Sequence, residues 1–185
     1  MVVWLFSLAA LATGAGDHLI AGARDFRAGR FAEALVQFRV AEKLGGGDEA
    51  AWYSAACLVR LKRPEEAVEA FAAAERRAPG WRDDLFDYYH AVACSDARLY
   101  RCADKLLAKI GSGAGPRIAG EAAKLRASIE ALLKAPAGKG SADWYRLHAQ
   151  QAEQAGQPAV AKAHRDEAEA LAAQLPRAES SKVKK

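Results

Sequence analysis

The chain has 185 residues, 51% of them hydrophobic with much of that share alanine, and a formal net charge of +4. The tail from Arg177 to Lys185 holds four basic residues and one acid, or +3, so about +1 is left on the rest. A body so nearly neutral has no sizeable basic excess for phosphates, which decides against nucleic acid as the default partner. With no Asn, one Thr and four His, the side-chain inventory offers few groups for catalysis or for clamping a ligand.

Residues 1–15, MVVWLFSLAALATGA, are apolar from Val2 to Ala12 and end in small residues. The run is shorter than the roughly 20 residues that span a bilayer. It reads as a secretory signal with cleavage after Ala12 or Ala15, although no Lys or Arg precedes it. The alternative is a hydrophobic first helix. Any membrane association is expected through this segment alone.

Asp17 to Ala28 carries Leu19, Ile20, Ala23 and Phe26 at helical spacing around the small Gly22, and Gly29 closes it where a left-handed residue is wanted. The next helix, in GRFAEALVQFRVAEKL (Gly29 to Leu44), sets Phe38 between Ala34 and Ala41 on one face. One aromatic knob flanked by two points of close approach packs tightly on a partner helix, so the unit is a helix hairpin. It is written again from Lys62 to Pro79, where Ala67, Phe71 and Ala74 repeat Ala34, Phe38 and Ala41 at a constant offset of 33. A fixed period of this size marks stacked-repeat architecture.

At Gly22, Gly29, Ala34, Phe38 and Ala41, and again at Ala55 or Ala56, Ala67, Phe71, Ala74 and Pro79, the chain resembles the tetratricopeptide repeat (TPR) family. It departs from that pattern at Gly45 to Gly47, where Pro is usual, and at Lys62, where Gly is usual. The resemblance implies an all-α fold of stacked antiparallel helix hairpins in a right-handed superhelix, here with extra C-terminal helices. It also implies a concave side that holds a segment of another protein.

A third, degenerate unit follows. Trp81 to Ala97 is the most aromatic stretch of the chain, with Asp83 and Asp84 suited to a helix N-terminus. Trp81, Phe86, Tyr89 and His90 are the candidate partner-binding residues, because interface hot spots favour aromatic anchors. The competing reading makes them packing between hairpins. Tyr100, Ala103, Leu107 and Ile110 echo the second-helix face, and Arg101, Lys105 and Lys109 form a basic stripe expected to be a solvated outer face.

GSGAGP (Gly111 to Pro116) completes no phosphate-loop motif and reads as a break. Pro116 to Ala135 then spaces Ile118, Ala122, Leu125, Ile129 and Leu132 as one long amphipathic helix. After the hinge at Pro136 to Ser141 comes a hairpin from Ala142 to Leu175. The parts are thus a signal (1–15), TPR-like repeats (16–110), a long helix plus hairpin (116–175) and a basic tail (176–185) expected to be disordered.

No HExxH, paired CxxC or GxSxG occurs, and the four His lie far apart in sequence, so neither a metal site, a cofactor nor an enzyme activity is expected. The cysteines, Cys57, Cys94 and Cys102, are odd in number. Cys94 and Cys102 lie four residues either side of Arg98, where the third hairpin turns, so antiparallel helices would bring them level. A buried free cysteine is the commoner state of such a residue, and a bridge is the alternative. The expected function is a non-enzymatic adaptor or scaffold of the cell envelope, exported and probing its partner by shape; the alternative is a cytosolic TPR-type secretion chaperone that dimerises through its N-terminal run.

Overall fold

The computed structural model of the protein describes residues 14–79, 83–134 and 141–174. The apolar N-terminal run, Trp81, the hinge before Ser141 and the basic tail lie outside the described residues. Among the described residues all regular structure is helical. The first three hairpins are α1 (Ala15–Arg27) with α2 (Phe31–Lys43), α3 (Gly47–Arg60) with α4 (Pro64–Arg77), and α5 (Asp84–Asp96) with α6 (Tyr100–Leu107). A short 3₁₀ turn (Ser112–Ala114) leads into α7 (Gly115–Lys134), and α8 (Ser141–Gln154) pairs with α9 (Pro158–Gln174).

The helix ends follow from local chemistry. Asp83 accepts a hydrogen bond from the Leu85 amide at 2.7 Å and caps α5. Pro64 and Pro158 open α4 and α9, where the missing N–H costs nothing. Each of the four hairpins turns in the same way. The residue after the turn donates its amide back five positions, Arg30 to Asp25, Arg63 to Leu58, Leu99 to Cys94 and Gln157 to Ala152. These are Schellman closures, and each needs a left-handed residue at its corner. The corners are Gly29 and Gly156, but also Lys62 at φ 58° and Arg98 at φ 61°. Lys62, the residue where the repeat pattern departs from glycine, adopts the glycine conformation regardless.

The hairpins pack in series, α2 on α3 and α4 on α5, with α3 also against α5. Phe38 and Phe71 are both fully buried, as the repeat predicts. Burying such a ring contributes about 1.5–3 kcal/mol. Phe38 stacks on Tyr53 with centroids 5.0 Å apart, and Phe71 sits between Trp52 (5.7 Å) and His90 (4.9 Å). The small residues matter as hollows. A Cβ on Gly22 would stand 2.8–3.0 Å from three atoms of the Phe38 ring.

One feature differs from the sequence expectation. Helix α6 stops at Leu107 and not at Ile110, because its last turn closes through i→i−3 bonds from Lys109 to Leu106 and from Ile110 to Leu107 before the glycines begin. Helix α9 returns to pack on α4 and α6, the second helices of the repeats, while α7 packs on α5 and α6. Within the described residues no helix is long and apolar enough to cross a membrane.

Candidate functional site

Helix α5 lies between two cavities that open on opposite sides of the stack. On one side, α3, α5 and α7 enclose about 280 Å³ lined by Val59, Arg60, Tyr88, Tyr89, Val92 and Ile118 among others. Half-buried rings continue from this cavity across the first helices of the repeats. Phe26 of α1 meets Tyr53 of α3 at 5.9 Å and Tyr89 of α5 at 6.2 Å, and Tyr88 stands 6.2 Å from Tyr89. All four are only partly covered. Burial and the neighbouring Glu49 push the Tyr53 hydroxyl above its ordinary pKa, and burial with Glu121 does the same for Tyr88. Both stay neutral phenols at physiological pH, amphipathic surfaces with one polar tip.

On the other side, α4, α5, α6 and α9 enclose about 640 Å³. Ala72, Leu106, Ala159 and Ala163 supply apolar wall, and Arg76, Arg101, Lys105, Lys109 and Lys162 line it together with Glu75, Asp166 and Glu167. Lys105 and Lys109 of the basic stripe are exposed, as expected from its spacing, while the half-buried Arg101 is drawn in, and the stripe forms one side of this pocket. Docking of α9 makes the difference. Glu167 is almost fully buried, accepts a hydrogen bond from the Arg101 amide at 2.5 Å and pairs with the Arg101 guanidinium at 3.4 Å. Burial raises its pKa in spite of the lowering effect of Arg101.

His90 and Cys102 also line this pocket. His90 is 8% exposed. Its pKa is lowered to about 3 by burial and, secondarily, by Lys109, so the imidazole is neutral. Cys94, fully buried behind it, is joined to Cys102 by a disulfide with Cα atoms 6.0 Å apart. The expectation of free thiols is corrected for this pair. The Arg98 corner folds α6 back beside α5 and brings the two cysteines level. Cys57 remains free and buried, and desolvation pushes its thiol up to about 12, so it is inert at neutral pH.

The candidate binding residues do not converge on one surface. Trp81 lies outside the described residues. Phe86 is 3% exposed between Trp52 (5.8 Å) and Tyr53 (5.1 Å), in the core. Tyr89 lines the α3/α5/α7 cavity and His90 the opposite pocket. Helical geometry separates them, since consecutive residues point about 100° apart.

Sequence reasoning missed the partners that join these residues. Phe26, Tyr53 and Tyr88 complete the ring row, and the signal for them was an aromatic on each of three successive first helices. It also missed that His90, Cys94 and Cys102 come together. His90 and Cys94 are visibly one helical turn apart, but Cys102 joins them only through the hairpin.

A second aromatic group locks the terminal hairpin. Trp144 stacks on His148 at 3.6 Å, His164 lies 5.8 Å from His148, and the Arg98 guanidinium sits 5.7 Å from the Trp144 ring. Tyr145 donates its hydroxyl to the Arg98 carbonyl at 2.9 Å. Compared with protein-family models, curated proteins and solved structures, the chain matches none.

Proposed function

We propose that the chain is a non-enzymatic adaptor of the TPR type, exported to the cell envelope, that holds a segment of a partner protein against the first-helix face of α1, α3 and α5. The observation that carries this reading is the row of half-buried rings Phe26, Tyr53 and Tyr89 with Tyr88 beside it. A row of partly covered aromatics on rigid helices gives large contact area at small ordering cost, the property of interface anchors. Mixed charges border it: Tyr53 has Arg27, Glu49 and Asp83 around it, and Tyr88 has Arg117, Glu121 and Lys124. The partner segment it suits is therefore apolar or aromatic at its centre and of mixed charge at its flanks.

Export is supported by the apolar start followed by small residues, and intact mass from the native host tests it through loss of that segment. A photo-crosslinking residue at Tyr53 or Tyr89, compared with one at the exposed Val36 of α2, tests the face. Tyr53 and Tyr89 should label the same partner peptide and Val36 should not, and Tyr89→Ala should abolish capture in a chain that still unfolds cooperatively. Equal labelling from Val36 sinks the reading.

A further inference from the structure

His90 and Cys94 stand four residues apart on α5 and so share one face. Cys102, the third residue of α6, reaches the same level because the corner at Arg98 folds the helix back. One ligand atom from each of the three, an imidazole nitrogen and two sulfurs, lies within 4.8 Å of the other two. Two sulfurs and one nitrogen form the donor set of a borderline-soft ion, and the absence of a carboxylate from the group disfavours calcium or magnesium. Two thiolates also neutralise a divalent charge, which removes most of the cost of burying it. Cys94 closes the site from behind, while His90 and Cys102 face the pocket and leave room for a fourth ligand such as water.

We propose that the reduced protein binds one zinc-class cation through His90, Cys94 and Cys102, with its fourth coordination position toward the α4/α5/α6/α9 pocket, and that the Cys94–Cys102 disulfide is the metal-free form of the same site. A dithiol reductant supplies two electrons and two protons, is itself oxidised to a disulfide, and cleaves the protein S–S bond to two thiols. Zn²⁺ then displaces both thiol protons to solution, forming two Zn–S bonds and one Zn–N bond to the neutral imidazole. A disulfide oxidant reverses the process: the two sulfurs join, two thiolates of the oxidant leave, and Zn²⁺ is released. The site lies on the opposite side of α5 from the adaptor's binding face, so the two are tested separately, and in an oxidising envelope the disulfide is the resting form.

The test uses the full chain, reduced with a dithiol, desalted without oxygen and titrated with Co²⁺ and then Zn²⁺ alone. The expected result is one Co²⁺ per chain with a sulfur-to-cobalt charge-transfer band, abolished by Zn²⁺, and no band from the oxidised chain. His90→Gln should weaken binding by more than about tenfold, since even outer-shell partners change metal affinity about 10–100-fold. In the unmodified reduced chain, bound zinc should slow alkylation of Cys94 and Cys102 at least about tenfold, read by mass spectrometry, and leave Cys57 unchanged. A reduced chain that gives no band, or alkylation rates indifferent to zinc, overturns the proposal. So does a band that persists in the Cys94→Ser/Cys102→Ser double variant.

Discussion

Replacing Gly22 by Ala sets two effects against each other whose sizes can be worked out. In the middle of a helix the change should stabilise by about 1 kcal/mol, because Ala has the better helix propensity. At Gly22 the added methyl meets three atoms of the Phe38 ring at 2.8–3.0 Å, whereas carbon atoms are comfortable near 3.5–4.0 Å. The ring cannot swing away, being fully buried and stacked on Tyr53 at 5.0 Å. Overpacking of this kind costs about 1–3 kcal/mol, so the net effect is a loss of about 1 kcal/mol.

Gly120 provides the matched control. It lies inside α7, and a Cβ there would meet nothing within 4 Å. Gly120→Ala should therefore show the propensity gain alone, raising the melting temperature by about 2–4 °C where Gly22→Ala lowers it by a similar amount. On a Phe38→Leu background the penalty at Gly22 should shrink, and the double-mutant cycle measures the contact. Urea unfolding of the four variants reads all of this. If Gly22→Ala stabilises as much as Gly120→Ala, the hollow under Phe38 is not a packing constraint and the argument fails.

Phe71→Ala should cost about 3–5 kcal/mol in urea unfolding, since the ring is fully buried between Trp52 and His90. A change within experimental noise would contradict that packing. At the second corner, Lys62→Gly should be more stable than Lys62→Ala by about 1 kcal/mol, because both lose the exposed pairing to Asp96 (3.3 Å) but only Ala keeps the left-handed strain. Equal stability would show that the corner costs nothing. His164, buried beside His148, has its pKa lowered to about 4 by desolvation and then by His148. The unfolded chain therefore binds the extra proton first, so this contribution is flat above about pH 6.5 and is lost as the pH falls toward about 4. His164→Gln should shallow that acid limb, and an unchanged profile would exclude the residue as its source.

What could be read from the sequence was whatever one hairpin settles by itself. The 33-residue offset placed Phe38 and Phe71 in the core, and Gly22 marked the close approach. The conformations of Lys62 and Arg98 were harder, because side-chain identity argued against a left-handed corner while the Schellman hydrogen bonds required one. The basic stripe was read as solvated, which holds for Lys105 and Lys109, but its spacing says only that it shares a face, not what lies opposite. The opposite wall of the pocket is α9, whose Glu167 lies 66 positions from the amide it accepts. His90, Cys94 and Cys102 were scattered for the same reason, since a helix turn shows a ligand pair in sequence but a hairpin is needed to bring the third.

Two of the contacts that dock α9 are caps. Glu167 of α9 accepts the amide of Arg101 in the first turn of α6, and Glu69 of α4 accepts the amide of Val160 in the first turn of α9 at 2.8 Å. Leu99, at the start of α6, offers no side-chain cap of its own. Helix α6 thus begins on a carboxylate lent by the far end of the chain, and α9 begins on one lent by the second repeat. Lifting α9 away frees both amides in one event, so Arg101 and Val160 should exchange their hydrogens with solvent at a common rate set by that opening. Repeats cut off before α9 would keep their sequence periodicity but lose the start of their last helix, so the unit that opens and closes cooperatively is larger than the unit that repeats.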